Sequence, residues 1–155
     1  TVYRFPFSLD EDLAEDKRDL HLSDVLVFFV MSYEDQPYSG YELFRIFQIH
    51  GLEFGEGNVF HRFDQNECLY TVAQATEPGI FNDNLMKDDD CVGLAIFLKR
   101  NKLSDAAYAF DRMVAMMQQV VADLGGIIQN DQHHPIDDSK LDEISEYLNK
   151  EEINA

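Results

Sequence analysis

The residue types best suited to chemistry in this sequence are two neighbouring histidines in an acidic stretch. His133 and His134 have three acidic neighbours, Asp131, Asp137 and Asp138. Imidazole and carboxylate groups are common metal ligands. Adjacent loop residues, however, rarely direct both rings at one ion, and no third ligand follows at a recognisable spacing. We therefore interpret these histidines as solvated loop residues and predict no metal site.

Three other patterns match catalytic or ligand-binding motifs only in part. His61 and Arg62 alternate in a strand-like run, which favours a structural hydrogen bond and a surface charge over an acid and a base. The aspartates at 88–90 lack the glycine and the distal glutamate of a calcium loop. Gly55 and Gly57 do not open a helix, so they form no phosphate loop. Because no nucleophile has a base, we predict no catalytic residues and no cofactor.

The strand predicted over 92–99 is the element that the others must surround. Apolar side chains alternate along it in two sets, and Lys99 closes the run. Val25–Met31 is also apolar on both faces and rich in β-formers, so we predict that it lies beside this strand or close to it. Further strands are predicted at Phe54, 58–63, 68–76 and 127–128.

Capping residues predict three helices. Ser39 opens a capping box and Gly51 ends the first helix, Ser104 caps the second, and Asp137 caps the third. The predicted apolar stripe of the second helix is Ala106, Phe110, Met113, Val114, Met117, Val121 and Leu124. That of the third is Leu141, Ile144 and Leu148. The order β-α-β-β-β-α-β-α predicts an α+β sandwich of the split β-α-β type. We expect a mainly antiparallel sheet of about six strands with three helices on one face.

Composition limits the class of protein. A chain of 155 residues with 45% hydrophobic content is expected to form one domain, which we place at 21–150. Residues 1–20 are interpreted as an appendage or the end of a linker, and 151–155 as a tail. A net charge of -18 argues against nucleic acid and anionic membranes as partners and favours a basic one.

The two cysteines, Cys68 and Cys91, lie in apolar runs. We interpret them as small core residues in a reducing compartment, with a disulfide between them as the open alternative. No run approaches the ~20 apolar residues of a membrane span, so we expect a soluble cytoplasmic domain.

One face of the predicted sheet has no element to cover it. The three helices account for the other face, and strand parity assigns a set of apolar residues to the open one. This set is Val25, Val27, Val59, Ala73, Ala75, Ala95 and Phe97. Lys99 shares the parity of Phe97 and is predicted at the rim. An open apolar sheet face indicates a binding surface.

A series of short motifs runs through residues 24–150. In chain order they are Gly51-x-x-Phe54-Gly55-x-x-Asn58-x-Phe60-His61-Arg62, Pro78-Gly79-x-Phe81, Gly93-x-x-Ile96-Phe97, Gly125-Gly126 and Asp131-Gln132. Together they resemble the family of C-terminal domains of the bacterial division protein ZipA. The resemblance implies a non-enzymatic adaptor whose open sheet face binds the C-terminal tail of FtsZ, largely through apolar contacts. It also implies a tail with an acidic end and basic residues.

The resemblance implies a site and a location as well. Alignment places the groove on the residues that strand parity leaves uncovered. It adds Gly57 and Glu77; the family tends to carry bulky side chains where this chain has Gly57 and Ala75, and a lysine where it has Glu77. The intact protein is expected at the division septum, on the cytoplasmic side of the inner membrane, held there by an N-terminal helix and a long linker. We expect this domain to be a monomer without direct membrane contact.

A second hypothesis assigns the chain to a different class of protein. A small α+β enzyme or ligand-binding domain would carry its site in loops, as a pocket with converging polar groups. An adaptor needs an apolar groove instead. The sequence favours the adaptor.

Overall fold

The computed structural model describes residues 22–76, 79–81 and 91–153. The predicted appendage at 1–20, Glu77 and the aspartates at 88–90 lie outside the described residues. No helix in the described ranges combines the length and apolar character that a membrane span requires.

The described chain forms six strands and three longer helices. In chain order they are β1 (Val25–Met31), α1 (Gly40–Ile49), β2 (Leu52–Gly55), β3 (Val59–Asp64), β4 (Glu67–Gln74), β5 (Gly93–Lys99), α2 (Ala106–Leu124), β6 (Ile127–Gln129) and α3 (Asp138–Ile153). The strands make one sheet in the order β2-β3-β4-β5-β1-β6, and each paired strand is antiparallel to its neighbour. The predicted α+β fold is confirmed.

Strand β5 lies between β4 and β1, as its apolar character on both faces predicts. Ile96 pairs with Phe28 on one side and with Val72 on the other. All three side chains are buried in the main core, which the helices share. One face of the sheet is therefore the helix-covered face, and the residues of opposite parity form the other.

Helix α1 begins and ends as its sequence predicts. The Ser39 hydroxyl accepts a hydrogen bond from the backbone N–H of Glu42, and Leu43, Ile46 and Phe47 are buried. Gly51 follows the helix with a φ of 74°, the left-handed backbone that commonly ends a helix.

Helix α2 begins differently from the prediction. Asp105, not Ser104, is the cap: its side chain accepts from the N–H of Tyr108 at 3.0 Å. Ser104 is not the cap because its N–H and its hydroxyl both donate to the Glu67 carboxylate. The buried face is also rotated relative to the prediction, since Val114, Val121 and Leu124 are only partly buried. The buried residues are Ala107, Ala109, Phe110, Met113, Met116, Met117 and Val120.

A close approach fixes the chain after α2. Tyr38 donates its hydroxyl to the Gly125 carbonyl at 2.8 Å. A Cβ at Gly126, whose φ is 112°, would lie 2.2 Å from that hydroxyl oxygen. Only glycine fits there, so the turn that delivers β6 to the sheet edge depends on it.

Helix α3 packs on α2 and completes the core. The Asp137 side chain accepts from the N–H of Lys140 at 2.9 Å, which confirms the predicted cap. Leu141, Ile144 and Leu148 are buried as predicted. The helix continues past Lys150 to Ile153.

Candidate functional site

The sheet face opposite the helices carries a second apolar cluster. Strand pairing brings its members together: Phe97 lies between Val27 of β1 and Thr71 of β4, and Ala95 lies between Phe29 and Ala73. The cluster consists of Val27, Phe29, Ala75 and Ala95, with Val25, Met31 and Phe97 packed against it. Strand parity therefore placed the predicted apolar set on one face.

The exposure of that set is uneven, which the sequence did not predict. Phe97, Val25 and Val59 are partly exposed and Lys99 is exposed, in line with an accessible surface. The expectation of exposure is wrong for four positions that are at most 5% exposed: Val27, Ala73, Ala75 and Ala95. A methyl group on a sheet lies below its larger neighbours and is shielded by them. The buried alanines Ala73, Ala75 and Ala95 therefore lie below the level of the Phe97 ring, and we call them the alanine floor.

A concavity of about 750 Å³ lies at the Phe97 end of this face. Val59, Phe97 and Thr71 contribute to its lining, together with two basic residues, Lys99 and Lys102. Glutamates also contribute to the lining: Glu53, Glu56 and Glu67. We call this concavity the Phe97 recess. It combines an apolar centre with charged groups of both signs.

His61 has a structural role on this face, as predicted. Its Nδ1 lies 2.9 Å from the Thr71 hydroxyl and its Nε2 lies 2.8 Å from the Glu56 carbonyl oxygen. Because a carbonyl oxygen only accepts, Nε2 carries the proton and Nδ1 accepts from Thr71. The ring thus fixes the turn that contains Gly57, which is exposed and has a φ of 80°.

Two other predictions about polar residues near the face need correction. Cys68 is exposed, with its sulfur 3.5 Å from the Thr71 hydroxyl, so Cys91 is the core residue of the two, and no disulfide joins them. His133 is not a solvated loop residue: its ring stacks on Phe29 with centroids 4.0 Å apart, and its Nδ1 lies 3.0 Å from Gln129 Oε1. His134 is exposed, as expected.

Three basic residues, Lys99, Arg100 and Lys102, follow one another closely at the end of β5, and the structure gives them different roles. Arg100 donates to the backbone carbonyls of Ser23 and Leu22 at 2.8 and 2.7 Å, and it pairs with Glu151 at the end of α3. Arg100 therefore joins the segment before β1 to the helical layer. Lys99 and Lys102 are the members of this cluster that line the Phe97 recess.

Some residues of the face were missed by the sequence reasoning. Phe29, His61 and Thr71 share the parity of the predicted set, so the alternation of β1, β3 and β4 was a sufficient signal for them. His133 reaches Phe29 from a loop, and no local pattern predicts that contact.

The polar side chains at the centre of the face, His61, Thr71 and Cys68, lie within hydrogen-bond distance of one another. His61 uses both ring nitrogens in the structure. In the described part of the chain, no three His, Cys, Asp or Glu side chains are arranged to hold a metal ion. What the face offers is apolar contact area with a polar rim.

The fold and this face define a split β-α-β domain with one sheet face buried under helices and an apolar recess on the other. The chain belongs to the family described as the ZipA C-terminal, FtsZ-binding domain, whose model matches residues 24–147.

Similar full-length proteins carry the name cell division protein ZipA. The one from Shewanella sp. (strain MR-7) is 29% identical over 130 residues, which is 81% of this chain and 36% of the relative. The one from Vibrio cholerae serotype O1 is 29% identical over 136 residues, 85% of this chain and 47% of the relative. The one from Shewanella halifaxensis is 31% identical over 109 residues, 68% of this chain and 36% of the relative. The chain thus spans less than half the length of these relatives.

Proposed function

We propose that this domain is a non-enzymatic cell division adaptor that binds the C-terminal tail of FtsZ in the Phe97 recess. The observation that carries the proposal is a partly exposed phenylalanine beside a floor of small side chains, on the sheet face that the helices leave uncovered. The family match covers all the strands that build this face.

The shape of the recess supports an apolar anchor from the partner. Ala73 and Ala95 pair with each other next to Phe97, so the surface is low on one side of the ring. An apolar side chain placed in the recess would lose its contact with water against the partly exposed Phe97 ring and Val59. We assign direct contacts to Phe97, Val25 and Val59, and the shaping of the floor to the buried alanines.

The positions that depart from the family pattern have different parts in this proposal. Gly57 is exposed, and a Cβ placed there would lie 3.9 Å from the Val59 side chain, so a bulky residue at this position would cover part of Val59. Ala75 is fully buried and contributes to the floor. Glu77, where the family tends to carry a lysine, lies outside the described residues, and Lys99 is our candidate for the basic rim group.

The competing hypothesis of an enzyme or ligand-binding domain has less support. It needs polar groups that converge on a substrate, whereas the imidazole of this face, His61, already bonds the Thr71 hydroxyl and the Glu56 carbonyl. We therefore propose a monomeric binding module, residues 21–150, without catalytic activity. The relatives are longer than this chain, and the family resemblance implies that the intact protein is held at the inner membrane with this domain on the cytoplasmic side.

The proposal is tested by adding a peptide of the FtsZ C-terminal tail to ¹⁵N-labelled protein and following amide shifts by NMR. We expect saturable shifts on β1, β4 and β5 around Phe97, and none with a peptide of scrambled order. Shifts confined to the helices or to the loop at 130–137 would contradict the placement. Sedimentation of the free and bound protein checks the monomer.

A further inference from the structure

A second concavity lies on the helix-covered side of the sheet, where α1 ends. Its volume is about 250 Å³, and it is lined by Ile49, His50, Gly51, Arg62, Tyr70 and Arg112. Arg62 of β3 and Tyr70 of β4 are directly paired, so their side chains lie next to each other on this side. The Phe97 recess opens on the other face and has one residue, Tyr70, in common with this lining.

The Tyr70 hydroxyl has no hydrogen-bond partner within the described residues. The residue is 1% exposed, and its hydroxyl is the one buried side-chain polar atom without a partner among the described residues. Burial raises the pKa of Tyr70, and the charges of Arg62 and Arg112 oppose that shift. The group is therefore a neutral donor at neutral pH, and an unpaired buried donor is unfavourable unless a ligand or a water accepts from it.

Two arginines at this pocket lack a carboxylate partner. Neither Arg62 nor Arg112 forms an ion pair within the described ranges, although the chain has a net charge of -18. Arg62 donates to the Phe63 carbonyl and packs over Gly51, and Arg112 lies 5.7 Å from the Tyr108 ring centroid. The positive charge at this pocket is thus uncompensated, whereas Arg45 nearby on α1 pairs with Glu42.

We propose that this pocket binds a small oxyanion, a carboxylate or a phosphate. The guanidinium groups of Arg62 and Arg112 would supply charge-assisted hydrogen bonds, and the Tyr70 hydroxyl would donate a third. His50 also lines the pocket, and the hydrogen bond between its Nε2 and Gln119 Oε1, at 2.6 Å, fixes its ring in the wall. The volume far exceeds the roughly 10–15 Å³ that a single water needs.

The net charge determines how the test is run. A strongly acidic chain repels anions at long range, and an ionic strength near 0.15 M limits that repulsion to about 8 Å. Sodium acetate and sodium phosphate are therefore titrated separately at this fixed ionic strength, each replacing sodium chloride. The arginine Nε–H signals and the Tyr70 amide are followed by NMR.

We expect saturable shifts at Arg62, Arg112 and Tyr70 with roughly millimolar affinity. Saturation by acetate alone identifies a carboxylate ligand, saturation by phosphate alone identifies a phosphate, and saturation by both supports the shared chemistry. Arg112→Gln should weaken binding about tenfold or more, because a charge-assisted bond is lost. The matched control Arg45→Gln removes an exposed arginine and should leave the affinity unchanged.

Tyr70→Phe separates an anion site from a purely structural hydroxyl. It removes only the unpaired donor, so the thermal midpoint of the free protein should stay the same or rise while anion affinity falls several-fold. Equal shifts with chloride, or no saturable shift with either anion, would overturn the proposal. A lower midpoint for Tyr70→Phe would also overturn it, by showing that a bound water already satisfies the hydroxyl.

Discussion

Adjacent residues of β5 contribute to different properties of the molecule because their side chains point to opposite faces. Ile96 is fully buried against the helices, while Phe97 is partly exposed on the opposite face. A substitution at Ile96 should therefore alter the free energy of unfolding, and one at Phe97 should alter binding. The two positions provide matched tests of the assignment of the faces.

Phe97→Ala should weaken binding of the FtsZ tail by about 2 kcal/mol, the scale of an interface anchor. Folding should change little, because the ring is partly exposed in the free protein. Isothermal titration calorimetry measures the dissociation constant, and Phe97→Leu, which keeps an apolar side chain, should retain most of the affinity. An unchanged constant for Phe97→Ala would remove the ring from the site.

Ile96→Ala should lower the free energy of unfolding by roughly 2–5 kcal/mol, because it leaves a cavity between β5 and the helices. Ile96 is in the main core and pairs with Phe28 and Val72, which are also buried there. Urea denaturation measures the change. At low temperature, where the variant is folded, tail affinity should match that of the wild type. A midpoint that does not move would mean that the two faces are assigned the wrong way round.

The sequence correctly predicted to which face of the sheet each side chain points, but it did not predict how exposed that side chain is. Alternation along a strand determines which face a side chain points to, so Val27 and Ala95 were placed correctly beside Phe97. Exposure depends on the size of neighbours on other strands, which is why both proved buried. The His133 stack on Phe29 joins a loop to a strand distant in sequence, and no local periodicity encodes it.

The start of α2 shows how a distant contact overrides a local signal at the scale of elements. Ser104 is a good cap by residue type, but Glu67, 37 positions earlier, binds its N–H and its hydroxyl. Asp105 then caps the helix. Helices α1 and α3 are capped where the sequence predicts: the Ser39 and Asp137 side chains accept from the N–H groups of Glu42 and Lys140.

Asp105→Ala should therefore lower the free energy of unfolding by about 1 kcal/mol through loss of the cap. Asp105→Asn keeps an acceptor oxygen for the Tyr108 N–H and should be nearly neutral. Ser104→Ala removes an exposed hydrogen bond and should have the smaller effect. Chemical denaturation of the three variants ranks them, and a larger loss for Ser104→Ala than for Asp105→Ala would restore Ser104 as the cap.

The distribution of charge is a property of the whole molecule. The chain has 12 basic against 30 acidic residues, yet each of the two concavities discussed above has a pair of basic residues in its lining. Arg100 is excluded from binding because it joins the segment before β1 to α3. Lys99 and Lys102 are thus left for a ligand in the Phe97 recess. Composition predicts the sign of the protein's overall electrostatic field, but only the fold shows which basic side chains line a concavity.

Lys99 should act on the rate of association with the tail more than on affinity. It is exposed beside Phe97, and exposed charges are well screened, so their main effect is on diffusional encounter. The family resemblance implies a tail with an acidic end. Lys99→Glu should therefore slow association at low salt, and the difference from the wild type should shrink as ionic strength rises past ~0.15 M.

Stopped-flow mixing with labelled tail peptide measures this rate, and Lys150→Glu on α3 makes the same change in net charge at a residue that does not line the recess. Both variants alter the long-range field equally, so any extra slowing by Lys99→Glu reports the local contact. If the two variants associate equally fast at low ionic strength, Lys99 has no special part in binding. The position of the tail peptide along the sheet would then be set only by the apolar fit around Phe97 and the alanine floor.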